Sequence, residues 1–217
     1  KLVQRATNQF HATDNEHSAR TIVTFFDYEK AYDKVWRDGL ITKMLDMEIP
    51  HRFVSYVRHF LSGRKTTVEV NGARCPKFRL DEGLPQGSSI SPLLFLIFIN
   101  DITVDLNPYT AASLFADDTS AWMEDGKIRG SNRELMQGEV DKILRWAETW
   151  KMKVNTGKTK TLVMFTSPSD LKWDPQLVGG TTDIIKPVQE YPFLGVTVDG
   201  GLRFTKHVDN IVDKCKR

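Results

Sequence analysis

Two cysteines in 217 residues exclude a disulfide framework, and without a CxxC or Cys/His cluster they exclude a zinc site as well. Cys75 stands beside a turn signal and Cys215 near the C-terminus, so both are expected to be reduced thiols of an intracellular protein. Long apolar runs are also missing. The longest, Leu93–Ile99, falls far short of the roughly 20 residues a membrane helix needs, and no membrane partner is expected. The first twenty residues are polar and do not look like a secretory leader. No internal repeat or low-complexity linker is visible, which sets aside solenoids and arrays. Charge of one sign is scarce too: the net value is +2, which by itself says little about nucleic acid. Lys151, Lys153, Lys158 and Lys160 do fall in ten residues without an acid, and Arg203–Arg217 is basic; on charge alone both read as solvated faces.

What is present is an ordinary globular composition, 40% hydrophobic and 27% charged. Thr21–Phe26 is a β-branched and aromatic run that stops at Asp27, a buried strand ending in an acid. Glu29–Asp46 reads as largely helical, and Pro50 opens a second helix whose apolar face carries Phe53, Val54, Val57, Phe60 and Leu61. Thr66–Val70 and Lys77–Leu80 form antiparallel strands about the turn signal Asn71-Gly72. Gly83–Ser89 is a loop, followed by an apolar helix from Ser91-Pro92 to about Asn107. Ala111–Phe115 and Thr119–Met123 make a hairpin with acids at its tip. An amphipathic helix over Ser131–Met152 is expected to bury Leu135, Ile143, Ala147 and Trp150 on one face. Leu162–Phe165 and Phe193–Val198 read as strands, and a helix begins near Phe204. This order predicts an α+β fold, an antiparallel sheet with helices on one face.

Acids draw attention by setting, not by number. The three adjacent pairs, Asp81-Glu82, Asp117-Asp118 and Glu124-Asp125, are about what chance yields for 28 acids. Asp117 and Asp118, however, lie between SLFA and TSAWM, where charges cost several kcal/mol unless paired or metal-bound. Asp27 sits likewise at the mouth of an apolar strand. Strands delivering these carboxylates to one edge would offer a hard-oxygen site for Mg²⁺. The alternative is a hairpin tip exposing both acids to water, with Asp27 capping the following helix.

Five segments, in order, resemble a known family. FFDYEKAYDKVW (Phe25–Trp36), GLPQGSSISPLLFLIFINDI (Gly83–Ile102) and LFADDTS (Leu114–Ser120) resemble motifs A, B and C of reverse transcriptases. WKMKVNTGKTKTLVMF (Trp150–Phe165) is similar to motif D and YPFLGVTVD (Tyr191–Asp199) to motif E, the primer grip. The wording looks like the non-LTR, LINE-type retrotransposon branch with its jockey-like elements. The resemblance implies a right-hand polymerase palm and an RNA-directed DNA polymerase that transfers dNTPs onto a DNA primer along an RNA template. It implies two Mg²⁺ ions, with Mn²⁺ able to substitute. Asp27, Asp117 and Asp118 would be the catalytic, metal-binding triad, with Tyr28 in the same metal site. Tyr28, Glu29 and Lys30 would lie along the triphosphate, and Tyr32 would exclude a 2′-hydroxyl. Gln86 and Gly87 would meet the incoming nucleotide, and Lys158 would be the motif D lysine. Ser88 and Ser89 would cap the motif B helix. Phe193, Leu194 and Gly195 would support the primer, and residues 151–160 gain weight as a nucleic-acid contact.

The same resemblance divides the chain. Residues 1–20 would end the fingers, 21–190 form the palm with a finger-like insertion near 50–82, 191–203 form the primer grip, and 204–217 begin the thumb. Fingers and thumb are then incomplete, and the 217 residues alone are expected to polymerise poorly. Action in the nucleus or cytoplasm follows from the family only. A truncated or domesticated fragment that merely binds nucleic acid is the competing expectation. An RNA-product polymerase is disfavoured by Tyr32, and a metal-dependent nuclease leaves LPQGSSISP unexplained.

Overall fold

Arg20–Phe26 forms strand β1, and every residue from Thr21 to Phe26 is buried. Such a run has no polar side to present to water, so it goes to the middle of a covered sheet. The computed structural model describes residues 2–4, 20–125, 132–165, 176–180 and 183–216. The expectation for residues 1–20 therefore falls largely outside the described residues. The chain divides into two compact units. One comprises Lys1–Asp27, Thr103–Arg145 and Val154–Arg217; the other comprises Tyr28–Ile102 and Trp146–Lys153.

The first unit is built on a mixed, mainly antiparallel sheet. Its remaining strands are β6 (Thr110–Phe115), β7 (Asp118–Asp125), β8 (Lys160–Phe165), β9 (Leu177–Val178) and β10 (Ile184–Val188), in the order β6-β7-β1-β8-β10-β9. β1 is antiparallel to β7 and β8, and β8 to β10 is the parallel pair. On one face Val23, Phe25, Trp122, Leu162 and Met164 form a core with Leu2 and Val198. That face is covered by a separate hairpin, β11 (Glu190–Phe193) and β12 (Val196–Asp199), through Tyr191 and Phe193.

This hairpin corrects the expectation of one strand over Phe193–Val198. Leu194 and Gly195 take positive φ values of 49° and 82°, and the backbone reverses there. Two successive positive φ values are what a tight two-residue hairpin turn requires, and glycine meets the second without strain. Asp199 then organises the start of the C-terminal helix (Thr205–Cys215): its carboxylate accepts the backbone N–H groups of Gly201, Arg203 and Phe204.

The second unit begins with a 3₁₀ turn, Ala31–Lys34, and continues with helices α1 (Arg37–Asp46) and α2 (His51–Leu61), so the helix expected over Glu29–Asp46 is interrupted. α2 buries Val54, Val57 and Leu61, whereas Phe53 stays exposed and Phe60 is half-buried. The hairpin of the sequence is a two-tier ribbon: β2 (Lys65–Thr66) pairs with β5 (Phe78–Arg79), and β3 (Glu69–Val70) with β4 (Ala73–Arg74). Helix α3 spans Ser91–Ile99 and passes into a 3₁₀ turn over Asn100–Thr103, ending sooner than expected.

Helix α4 runs over Asn132–Thr149, with its last turn in the second unit. Met136, Val140, Ile143 and Ala147 are its buried face, and Leu135 is exposed. The i, i+4, i+7, i+11 spacing of those four defines a true helical stripe, which the expected set began one residue early. Lys151 at φ 56° bars any helical continuation toward Met152. Within the second unit Lys43 is buried beneath aromatic rings: its ammonium lies 3.8 Å from the Trp150 ring centre and 4.6 Å from that of Trp146, and pairs with Asp101.

Candidate active site

Strand register delivers the acids. In the β1–β7 pair Phe26 faces Thr119, so Asp27, one residue on, comes opposite Asp118 at the same end of the sheet. Phe115 pairs with Asp118 across β6–β7, leaving Ala116 and Asp117 as the turn. Ala116 holds φ at 52°, a left-handed conformation that costs an L-residue roughly 1–2 kcal/mol and holds Asp117 at the tip. The three aspartates are thus gathered at one edge of the first unit.

Their electrostatics are mutual. Asp117 and Asp118 are both exposed at the hairpin tip, as the alternative reading had them; partial burial of Asp118 first, then the charges of Asp117 and Asp27, push its carboxyl above the usual aspartate range. Tyr191 is pushed up as well, by burial and then by Asp27 and Asp118, which places its phenol in the field of the same acids. Its ring stacks on Phe25 at 4.3 Å, on the strand that carries Asp27. Among the described residues no three His, Cys, Asp or Glu side chains close into a ready metal-binding group. The donor set nonetheless suits a hard divalent cation: all carboxylate oxygens, at a place where negative charge is already in excess.

Asp27 is held by its backbone. Its N–H donates to the Thr159 hydroxyl at 3.2 Å, and its carbonyl accepts the Asn155 N–H at 2.7 Å. Asn155 also takes the Thr159 N–H, closing the loop between them. Asn155, Thr159 and Tyr191 were not singled out in the sequence. A buried threonine at a strand mouth carries no signal until its partner is known.

Lys158, in the same loop, is exposed, and its N–H donates to Asn155. Phe193 packs on Phe25 at 5.0 Å, while Leu194 and Gly195 form the exposed hairpin tip.

The nucleotide-facing residues expected of motifs A and B lie in the second unit and are organised there by point contacts. Tyr28 is buried and Lys30 adopts φ 50°. Glu29 donates its N–H to Lys153 O and pairs with the Lys153 ammonium at 3.0 Å. Lys151 covers the Trp36 ring at 4.0 Å. Lys160 Nζ donates to Gly157 O, so three of the four lysines in the basic stretch have intramolecular partners, which weakens the case for a phosphate track there.

Tyr32 stacks on Phe95 at 4.5 Å, and its carbonyl accepts the Leu84 N–H. Gly83 donates its N–H to Val35 O, and Gln86 Nε2 donates to Asp33 Oδ1 at 2.9 Å. A Cβ on Gly83 would lie 2.8 Å from the Cα of Asp33, so this glycine allows the two loops to touch. Gly87 takes φ 82°. Arg37 then staples the base of the arrangement, donating to the carbonyls of Leu61, Leu80, Glu82 and Gly83.

Ser88 and Ser89 do not cap α3 as expected. The helix starts behind Ile90 without a side-chain cap, and the Ser91 hydroxyl instead donates to Pro85 O. The loop turns too tightly for either serine to reach the first helical N–H groups in the usual way; Ser88 Oγ only approaches the Ile90 N–H, at 3.4 Å.

Comparison with known proteins shows the family. The family model "Reverse transcriptase (RNA-dependent DNA polymerase)" matches residues 2–198. The chain is 29% identical over 203 residues to the RNA-directed DNA polymerase from mobile element jockey of Drosophila melanogaster, covering 90% of this chain and 21% of the relative. It is 27% identical over 194 residues to the jockey counterpart of Drosophila funebris, covering 86% and 20%. The chain thus spans about a fifth of the length of these curated relatives. Among solved structures, apo telomerase from Candida tropicalis aligns with a TM-score of 0.61 at 12% identity, over 92% of this chain and 34% of that one. At that identity the likeness is one of fold, the right-hand polymerase fold. Reverse transcriptases as a family use divalent metal ions. With a family model matching nearly its whole length, the chain belongs to the reverse transcriptase (RNA-dependent DNA polymerase) family.

Proposed function

We propose that this chain is the polymerase core of a non-LTR retrotransposon protein, which copies an RNA template by adding dNTPs to the 3′-hydroxyl of a DNA primer. The observation that carries the reading is the convergence of Asp27, Asp117 and Asp118 on one sheet edge, where partial burial and then the charges of the other two raise the Asp118 carboxyl.

Asp27, Asp117 and Asp118 would hold two Mg²⁺, or Mn²⁺ in their place, with Tyr28 beside Asp27. Bound there, the ions supply Lewis acidity to the attacking hydroxyl and to the departing pyrophosphate. The protein's own part is positioning. Thr159 and Asn155 hold the Asp27 backbone still, so its carboxylate keeps one place at the strand mouth. The Ala116 turn does the same for Asp117. The rest of the nucleotide site would be Glu29, Lys30, Tyr32, Gln86, Gly87 and Lys158. Tyr32 presents a ring made rigid by Phe95, suited to rejecting a 2′-hydroxyl. Phe193, Leu194 and Gly195 would carry the primer strand. In subdomain terms, residues 21–190 are the palm with a finger-like insertion near 50–82, preceded by the end of the fingers and followed by the primer grip and the start of the thumb. The protein would work inside the cell, in nucleus or cytoplasm.

The test is primer extension on an RNA template with Mg²⁺ or Mn²⁺, supplying dNTPs or rNTPs. Asp117→Asn should lower incorporation roughly a thousandfold, several kcal/mol of lost charge stabilisation. Equal use of rNTPs would overturn the DNA product. A folded wild-type protein that binds template but incorporates nothing would mark a retired or incomplete polymerase.

A further inference from the structure

Charge is segregated along this chain. Residues 51–80 contain seven Arg and Lys side chains (Arg52, Arg58, Arg64, Lys65, Arg74, Lys77 and Arg79) against one acid, Glu69. This stretch therefore carries +6 in a chain whose total is +2, so the remainder is −4. Arg74 pairs with Glu69 and Arg79 with Asp81, just beyond the stretch; the other five basic side chains have no acid partner among the described residues, and solvated faces normally mix signs.

Aromatic rings are interleaved with these charges. Phe53 and Tyr56 on α2 are 51% and 59% exposed, large surfaces that contribute nothing to the buried side made by Val54, Val57 and Leu61. They are ordered into a ladder along the helix. The Arg52 guanidinium lies 5.0 Å from the Phe53 ring centre, Tyr56 stacks on Phe60 with 11° between planes, and Arg64 lies 5.8 Å from Phe60. Positions 53, 56 and 60 share one helical face, so the rings form a row.

The ribbon that follows has no core of its own. Every residue from Thr67 to Glu82 is exposed, including Val68, Val70 and Phe78, and each tier is only two residue pairs long. Such short strands are marginal alone. What holds the ribbon is its base, where the Leu80 N–H donates to Arg64 O and the Arg37 guanidinium clamps the Leu61 and Leu80 carbonyls. A projecting arm with exposed rings and excess positive charge is matched by a partner that is polyanionic and offers flat faces to stack on.

We propose that α2 and the β2–β5 ribbon form a binding surface for single-stranded nucleic acid, in which bases stack on Phe53 and Tyr56 and phosphates meet Arg52, Arg64 and the ribbon's basic residues. The surface acts without the aspartates and is independent of the polymerase reading. Duplex binds it less well, because paired bases cannot leave their own stack to reach the rings.

The test is fluorescence anisotropy of the full chain with labelled 20-mers, as single-stranded RNA, single-stranded DNA and DNA duplex, over a range of salt. Phe53→Ala with Tyr56→Ala should weaken single-strand binding about 10-fold or more, the scale of base stacking on an aromatic ring. Tyr56→Leu, which keeps apolar area but not the aromatic face, should fail to restore it. Arg52→Gln with Arg64→Gln should reduce the salt slope by about 0.7 for each phosphate that is no longer neutralised. Lys186→Gln, which removes an exposed positive charge from β10, should bind as wild type does, and circular dichroism should show every variant folded. RNA held more tightly than DNA would identify template as the occupant, and the reverse would identify a DNA strand; either supports the surface. The proposal is overturned if the double alanine variant loses duplex affinity as much as single-strand affinity, or if wild type binds no single strand at low salt. It is equally overturned if Tyr56→Leu behaves as wild type, or if the double alanine variant changes self-association and leaves oligonucleotide affinity within twofold.

Discussion

The two units position their functional groups by different physics. In the first, the acids are placed by strand register: Asp27 and Asp118 meet because β1 and β7 pair over seven consecutive residues. A one-residue slip would swap every side chain of β1 between two buried faces that are packed differently, so close packing enforces the placement many times over. In the second unit no sheet of comparable size sets the geometry. The motif A and B loops are held by single contacts, among them Gly83 to Val35, Gln86 to Asp33 and the Arg37 staple. Redundant placement tolerates local change; placement by single contacts does not.

The sharpest way to break that contrast is Gly83→Ala. The new Cβ would press on the Asp33 backbone, 2.7 Å from its carbonyl carbon, at a residue with φ 79°. A left-handed penalty of about 1–2 kcal/mol adds to a backbone overlap that side-chain rotation cannot relieve, so a loss of about 3 kcal/mol or more is expected. Urea unfolding measures it. A loss below about 1 kcal/mol would mean that the loops separate easily and are not fixed by this contact. Thr119→Val, a buried change within the redundant β1–β7 pairing, should cost less.

The same contrast explains what could be read from residues alone. Apolar runs interrupted by acids are visible in the residues, and Thr21–Phe26 ending at Asp27 and Leu114–Ser120 enclosing Asp117-Asp118 make the central strands and their acid edge legible, whereas β9 and β10 carry too little pattern to be read. Point contacts have no period. Arg37 looks like any arginine after a tryptophan, yet it donates to four carbonyls drawn from the end of α2, the ribbon and the motif B loop. Thr159 and Asn155 lie 132 and 128 positions from Asp27, and neither has a local pattern that points back to it. The split of Phe193–Val198 into two strands was missed because LeuGly is a weaker turn signal than the AsnGly at 71–72, although both adopt positive φ. Capping by Ser88 or Ser89 failed for a related reason, since propensity is local and the tight loop that withholds those hydroxyls is not.

Lys43 offers a second comparison, a charge held by one unit's point contacts and readable by pH. Burial lowers its pKa to about 8, against the opposing pull of Asp101. The unfolded chain titrates this lysine near its ordinary 10.5. Below pH 8 both states are charged, and the folded state bears the full cost of a buried ammonium. Between pH 8 and 10.5 the folded state sheds its proton first, so stability from this group rises with pH, by up to about 3 kcal/mol across the window. Lys43→Met should flatten that rise without a large loss at pH 7, because Asp101 is partly exposed and still accepts the Trp146 indole N–H. Urea midpoints for both proteins from pH 7 to pH 10 decide it. Parallel curves would show that Lys43 titrates as an ordinary exposed lysine.

The smallest effect separates two aspartates within the first unit. Asp199 accepts three backbone N–H groups at the entrance to the C-terminal helix, whereas Asp118 faces two like charges and has its pKa raised, chiefly by burial. A carboxyl whose folded pKa lies above its unfolded value contributes stability that is fully present below the unfolded pKa. That contribution is lost as pH rises through the folded value. At neutral pH an ionised Asp118 therefore weakens the fold that carries it. Asp118→Asn should raise the melting midpoint at pH 7 by about 1–3 °C, and the gain should fade at acid pH, where the wild-type carboxyl is itself neutral. Asp199→Asn should do the opposite, costing about 1 kcal/mol because an amide offers fewer acceptor positions than the carboxylate that caps the helix. If Asp118→Asn instead destabilised the protein at pH 7, the acids would be compensating one another through contacts in the fold. The edge would then be a structural ion network, with no unmet demand for a cation.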